Sequence, residues 1–205
     1  MDDLARTLLA EAEAPAPPTR LRVLVGMTGA SGAAYAVDFL RRCPGEKYLV
    51  VSKWARAVLQ SELGLREEDL DPYVKARFSD GDLAAPFSSG GNHFDAMVIL
   101  PCSASTMAKI AVGIGDTLLT RTAHVCLKER RKLVVCLRET PLTTITLENA
   151  SKLAVAGAIV MPIMPAMYLK PATVADVVSG FVDRVLSVLG VEPAPARRWR
   201  GTELS

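Results

Sequence analysis

Apolar runs recur along the chain, and each is followed by a turn of small, hydroxylated or charged residues. The runs are Leu21–Val25, Tyr48–Val51, Ala96–Leu100, Leu133–Leu137 and Ala158–Met161. A strand buried on both faces reads this way, because neither side is presented to water. Gly26 closes the first run and reads as a strand stop. Between the runs the pattern becomes helical, over about 31–42, 54–64, 103–112, 117–131 and 143–156. The last helical stretch is the clearest. Val174, Val177, Val178, Phe181, Val182, Val185, Leu186 and Leu189 recur on one face at about 3.6-residue spacing. This alternation predicts an α/β fold, a doubly wound parallel sheet with helices on both faces. Such sheets bind ligands beyond the carboxyl ends of their strands, where the strand order reverses. The residues just after each run are therefore the first candidates for chemistry.

The ends of the chain read differently. Residues 2–12 suit a short helix with Leu4, Leu8 and Leu9 on one side, and Ala14-Pro15-Ala16-Pro17-Pro18 cannot continue it. The expected organisation is an arm over 1–20, one domain over 21–190 and a tail over 191–205. A chain of 205 residues, half of them hydrophobic and 22% charged, can bury a large core and is not intrinsically disordered. A net charge of +2 and an aromatic content of 5% argue against a dedicated nucleic-acid binder. Cys43, Cys102, Cys126 and Cys136 are widely spaced and form no CxxC pair, and His93 and His124 are the two histidines. That leaves no zinc-ligand spacing and suggests reduced, buried thiols. Met1-Asp2-Asp3 is acidic where a signal peptide is basic, and no apolar run of about 18 residues occurs. The expectation is a cytoplasmic protein without membrane or nucleic-acid partners and without a metal.

The first run leads into Gly26-Met27-Thr28-Gly29-Ala30-Ser31-Gly32-Ala33. Small residues let a backbone approach a ligand, and free N–H groups at a helix start favour an anion. Ser31 adds a hydroxyl. The spacing is G-x-x-G-x-x-G rather than the dinucleotide fingerprint G-x-G-x-x-G, and tight strand–helix packing would also require these glycines. Ser52 and Lys53 follow the second run, and Pro101-Cys102-Ser103-Ala104-Ser105-Thr106 follows the third. One hydroxyl at a helix start is an ordinary cap; two hydroxyl-rich strand ends in one sheet favour a phosphorylated ligand. After the fourth run come Arg138 and Glu139, suited to holding a phosphate or ring carbonyl and to managing a proton. After the fifth, Pro162 and Pro165 stiffen a loop that presents Tyr168. Arg184 lies beside the apolar face of the last helix, where a solvated charge is the plain alternative. Arg121 and Lys128 are seven residues apart on one helix face. His93 and His124 read as structural, with no partner for a Ser–His triad.

Gly-x-Thr-Gly-Ala-Ser-Gly, Pro-Cys-Ser-x-x-Thr, Leu-Lys-Glu-Arg-Arg, Arg-Glu-Thr-Pro-Leu, Leu-Glu-Asn and Pro-Ala-x-Tyr-x-x-Pro-x-Thr occur in this order. Over about 21–190 the chain resembles the UbiX/Pad-type flavin prenyltransferases, within the flavoprotein superfamily that also holds cysteine decarboxylases. The resemblance implies a Rossmann-like fold that binds FMN, a homododecamer with sites built between subunits, and no metal. It also implies transfer of a dimethylallyl group from dimethylallyl phosphate to N5 and C6 of reduced FMN. The prenylated FMN would serve a UbiD-type decarboxylase. By motif, Gly29, Ala30 and Ser31 match flavin-phosphate contacts. Ser52, Ser103, Ala104, Ser105, Thr106 and Arg138 also face FMN. Arg121, Lys128, Tyr168 and Arg184 match ligands of the donor phosphate. Ser31, Glu62, Glu139 and Lys128 take the catalytic places.

Met167, Ile163 and Ser88-Ser89-Gly90-Gly91 depart from the family pattern and bear on the donor pocket. Two rival readings remain: an FMN-dependent cysteine decarboxylase and a non-catalytic flavin carrier subunit of a decarboxylase. The first needs a histidine near Ala33–Tyr35 and an asparagine in the Pro101–Ser105 motif, and the sequence has neither. The second does not explain why Lys128, Glu139, Tyr168 and Arg184 occur together.

Overall fold

The computed structural model describes residues 21–191. The expected arm at 1–20 and all but the first residue of the expected tail at 191–205 lie outside the described residues. Six parallel strands form one sheet in the order β3-β2-β1-β4-β5-β6. They are β1 (Arg22–Met27), β2 (Glu46–Val51), β3 (Ala76–Ser79), β4 (Ala96–Cys102), β5 (Lys132–Leu137) and β6 (Ile159–Val160). The helices are α1 (Ala33–Arg42), α2 (Lys53–Leu63), α3 (Ala104–Ala111), α4 (Leu118–Lys128), α5 (Thr144–Val155) and α6 (Val174–Val188). Among the described residues, no helix is long and apolar enough to cross a membrane.

Alternate strand residues feed two cores. Val23, Val25, Val98, Leu100, Val134 and Cys136 pack with α1, α2 and α6 on one face. Leu24, Met97, Ile99, Leu133 and Val135 pack with α3, α4 and α5 on the other. Both faces are covered, which explains the unbroken apolar runs. The strand order reverses between β1 and β4, so the ligand crevice of this architecture opens over the ends of those two strands.

Several expectations are corrected. Gly26 lies inside β1 rather than ending it: a Cβ there would stand 2.2 Å from Leu119 Cδ2, so the glycine makes room for α4. The expected helices at 31–42 and 117–131 shorten to Ala33–Arg42 and Leu118–Lys128, because Gly32 (φ 110°) and Arg130 (φ 57°) are left-handed. β3 was not expected. It is a four-residue edge strand, Ala-Arg-Phe-Ser, too short and too polar to read as an apolar run. Val174, expected on the buried face of α6, is 78% exposed, while Val178, Phe181, Val182, Val185 and Leu186 are buried.

α6 is pinned to α1 by charge. The Arg42 guanidinium donates to Asp183, to Asp38 (3.0 Å) and to the Ser179 carbonyl (3.2 Å). Asp183 is almost fully buried, so losing Arg42 takes a compensating charge from a desolvated carboxylate. Arg42→Met should cost about 2–3 kcal/mol. This is below the roughly 3–5 kcal/mol of a fully buried pair, because the Arg42 side chain keeps 28% exposure. Urea unfolding checks this, and the double variant Arg42→Met/Asp183→Leu should recover most of the loss.

Candidate functional site

The site grows from Thr28, the first residue after β1. Its side chain is buried; its hydroxyl donates to the Pro101 carbonyl (2.9 Å) and accepts from the Ser103 N–H (2.7 Å). Its own N–H reaches the same Pro101 carbonyl at 3.2 Å. One side chain thus joins the β1–α1 turn to the β4–α3 turn across the switch point. Thr28 was not singled out from the sequence, where it reads as one more small residue in a glycine-rich turn.

On the far side of this bridge the hydroxyls gather. Ser103 caps α3, accepting from the Thr106 N–H (3.3 Å), and its hydroxyl lies 3.2 Å from that of Ser105 and 3.1 Å from that of Thr106. Ser52 caps α2 through the Ala55 N–H (3.2 Å). These four residues, with Gly29, Lys53 and Trp54, line a cavity of about 340 Å³. With Thr117 and Thr120 at the start of α4, three helix starts and six hydroxyls meet in this cavity, residue types that can donate to a phosphate. Asp80, at the end of the unexpected β3, closes the wall by accepting from the Leu119 N–H (3.0 Å) at the start of α4. On the rim, Lys109 is paired with Asp116 at 2.7 Å.

The start of α1 behaves differently from the expectation of a free anion site. The Glu62 carboxylate, from the last turn of α2, accepts from the Gly32 N–H (3.0 and 2.9 Å) and the Ala33 N–H (2.8 Å). Partial burial pushes the Glu62 pKa up. The Ser31 hydroxyl, the Ala33 and Gly32 N–H groups and the charge of Arg138 outweigh that and hold it below its ordinary value. The protein thus supplies its own anion there. Glu62, Ser31 and Arg138, predicted from three separate segments, are brought together. Tyr35 joins them: burial raises its pKa, Arg138 lowers it in part, and its ring meets Phe181 edge-on at 5.5 Å. Glu139 lies beside this group in sequence, its carboxylate bound by the Thr140 N–H (3.0 Å).

The expected donor ligands are not assembled within one chain. α6 starts at the strand ends that form the crevice. Arg184 lies ten residues along it, about 15 Å away, beside the Asp183 that pairs with the last turn of α1. Tyr168 is half exposed on the loop before α6, whose Leu169 packs near Gly180. Lys128 ends α4 toward the amino-terminal ends of the strands, four residues before β5, and pairs with Glu129 near Gly90. Arg121 lies in the first turns of α4, its guanidinium near Gly115. His124, on the same face, has a buried Nε2 without a hydrogen-bond partner among the described residues, so it is not the satisfied histidine expected. The cysteines offer no nucleophile: burial pushes Cys102, at the β4 end, up to about 12 despite the Met107 N–H, and raises the other three as well.

A sequence model of the flavoprotein family matches residues 11–187. The flavin prenyltransferase UbiX of Thermoplasma acidophilum is 47% identical over 180 residues, covering 87% of this chain and 100% of that protein. The crystal structure of AnUbiX (PadA1) in complex with FMN and dimethylallyl pyrophosphate is 39% identical with a TM-score of 0.83, covering 90% of this chain and 100% of that one. The dodecameric FMN-dependent UbiX-like decarboxylase of Escherichia coli O157:H7 is 42% identical with a TM-score of 0.85, covering 88% and 100%.

Glu62 ties pH to stability. A carboxylate with a depressed folded pKa stabilises the fold above its unfolded value, here about 4.5, and that contribution is lost as pH falls through the folded value. The stability gap between the wild type and Glu62→Gln should therefore be constant near neutrality and shrink below about pH 4.5. Chemical denaturation across that range measures it.

Proposed function

The chain belongs to the flavoprotein family and, within it, to the UbiX-type flavin prenyltransferases, and from that premise we propose the activity of its crevice. It binds FMN and transfers a dimethylallyl group from dimethylallyl phosphate to the reduced flavin. The observation that carries the reading is the hydroxyl cradle of Ser52, Ser103, Ser105 and Thr106 at the switch point, joined through Gly29 to the Ser31–Glu62–Arg138 group. A phosphate at one end and a flat polar ring at the other match this layout. The complex of a 39%-identical relative with FMN and dimethylallyl pyrophosphate supports it.

The flavin supplies N5 and C6, to which the allylic group becomes bonded. The chain's own residues do the rest. Gly29, Ala30 and Ser31, with Ser52, Ser103 to Thr106 and Arg138, hold and orient it. Arg121, Lys128, Tyr168 and Arg184 hold the donor phosphate, where positive charge and a phenol favour its departure. Glu62 is held ionised by fixed donors, which makes it a weak base and a fixed negative charge beside a developing cation. Glu139, bound by one neighbouring N–H, would take the C6 proton. The product would serve a UbiD-type decarboxylase.

The separation of the donor ligands from the crevice within one chain favours a site shared between copies. A homododecamer, as in the E. coli relative, provides neighbours for it. Ile145, Val155 and Val174, 70%, 87% and 78% exposed, provide apolar surface for such contacts.

Incubation with reduced FMN and dimethylallyl phosphate, read by the absorbance and mass of the flavin, tests the activity; an unmodified flavin refutes it. Glu139→Gln should keep FMN and slow turnover about 10²–10⁴-fold. Arg184→Ala should keep FMN and weaken donor binding by roughly ten-fold or more. Co-expression of these two variants separates shared from self-contained sites. Random assembly leaves about one shared site in four with neither substitution, so activity should return; none returns if each chain builds its whole site.

A further inference from the structure

Trp54 is the largest exposed aromatic among the described residues, and the crevice residues named so far give it no role. Its indole is 69% exposed, yet its base is fixed. A Cβ on Gly29 would stand 2.5 Å from Trp54 Cβ and 3.5 Å from Cγ, so the first turn of α2 sits directly on the β1–α1 turn. The Lys53 ammonium lies over the indole ring, 5.5 Å from its centroid. A large apolar ring held firmly at its root and left open at its face is unusual for a surface position.

The ring stands where two cavities meet. One is the hydroxyl cradle of about 340 Å³. The other, of about 310 Å³, runs down α2 along Trp54, Ala57 and Val58 and ends at Ser31, Ser61 and Glu62. Gly29 and Trp54 line both. The two chambers thus adjoin along Gly29 and Trp54, with hydroxyls in one and, in the other, apolar walls leading to a fixed carboxylate. The N–H groups at the start of α1 are taken by Glu62, which leaves the hydroxyl end for a phosphate.

We propose that Trp54 is a flavin-binding residue: the isoalloxazine ring occupies the Trp54–Ala57–Val58 groove and stacks on the indole face not covered by Lys53. This rests on the FMN reading and fixes the direction of the ligand within the crevice. Offset stacking of two large aromatic systems adds affinity beyond burial alone. The polar edge of the ring then faces Ser31 and Glu62. Gly29 is needed because any side chain there would push the indole out of line.

The test titrates FMN into the full chain carrying Trp199→Phe, which leaves Trp54 as the one fluorescent indole, since the sequence has two tryptophans. Binding should quench most of its emission. Trp54→Ala should raise the FMN Kd about ten-fold or more, and Trp54→Phe should stay within about three-fold of the wild type. Ala57→Phe, which fills the groove from an exposed helix position, should weaken FMN similarly while thermal unfolding is unchanged. If the wild-type chain takes up no FMN, the flavin reading itself fails. If FMN binds but Trp54→Ala and Ala57→Phe keep the wild-type Kd, the ring lies elsewhere and this proposal is overturned. A changed assembly state by light scattering with an unchanged Kd also overturns it, by making Trp54 a subunit contact.

Discussion

The functional geometry hangs on the buried hydroxyl of Thr28, shared between the Pro101 carbonyl and the Ser103 N–H. A single hydrogen bond contributes roughly 1 kcal/mol net, but removing this hydroxyl strands the Ser103 N–H, at about 1–3 kcal/mol if buried, while the Pro101 carbonyl keeps the Thr28 N–H. More important is what the bond aligns. It holds the turn carrying Gly29 to Gly32 against the turn carrying Ser103 to Thr106. The crevice is therefore set by the sheet rather than by loop flexibility. Gly26 serves the same end from within β1, by letting Leu119 and the start of α4 close on the strand.

Charge then divides the crevice. At one end the fold answers the positive end of α1 with its own carboxylate, Glu62, and adds Arg138 and Ser31 around it. At the other, two helix starts are capped by hydroxyls, which bind their own N–H groups and keep further hydrogen-bonding capacity for a ligand. A phosphate meets the Glu62 carboxylate at the first end; at the second it meets these hydroxyls, with the Asp80 carboxylate bound to the Leu119 N–H. The same asymmetry separates the two glutamates: one accepts from three donors beside the charge of Arg138, while the other accepts from a single neighbouring N–H.

Much of this was legible in the sequence. The five apolar runs are five of the six strands, because burial on both faces removes polar alternation. The hydroxyls of Ser52 and Ser103 to Thr106 were found because caps follow strands at fixed places in this architecture. What escaped detection depends on three dimensions. β3 is an edge strand whose partly buried residues carry no apolar pattern. The contact of Glu62 with α1 joins residues thirty apart, and the family resemblance pointed to Glu62 but not to its partner. Thr28 looks like any turn residue until β4 is laid beside β1. The alignment of Arg121 and Lys128 on one face was correct, yet helix length carries Lys128 toward the amino-terminal ends of the strands. Trp54 was passed over because an exposed aromatic after a strand has no pattern of its own.

In the proposed complex the phosphate of the flavin lies in the hydroxyl cradle while Glu62 keeps the start of α1. A crystal structure with FMN bound decides this. Phosphate oxygens should lie within hydrogen-bonding distance of the Ser103 and Thr106 hydroxyls, with the Glu62 carboxylate still on the Gly32 and Ala33 N–H groups. A phosphate seated on those two N–H groups, with Glu62 displaced, would contradict it.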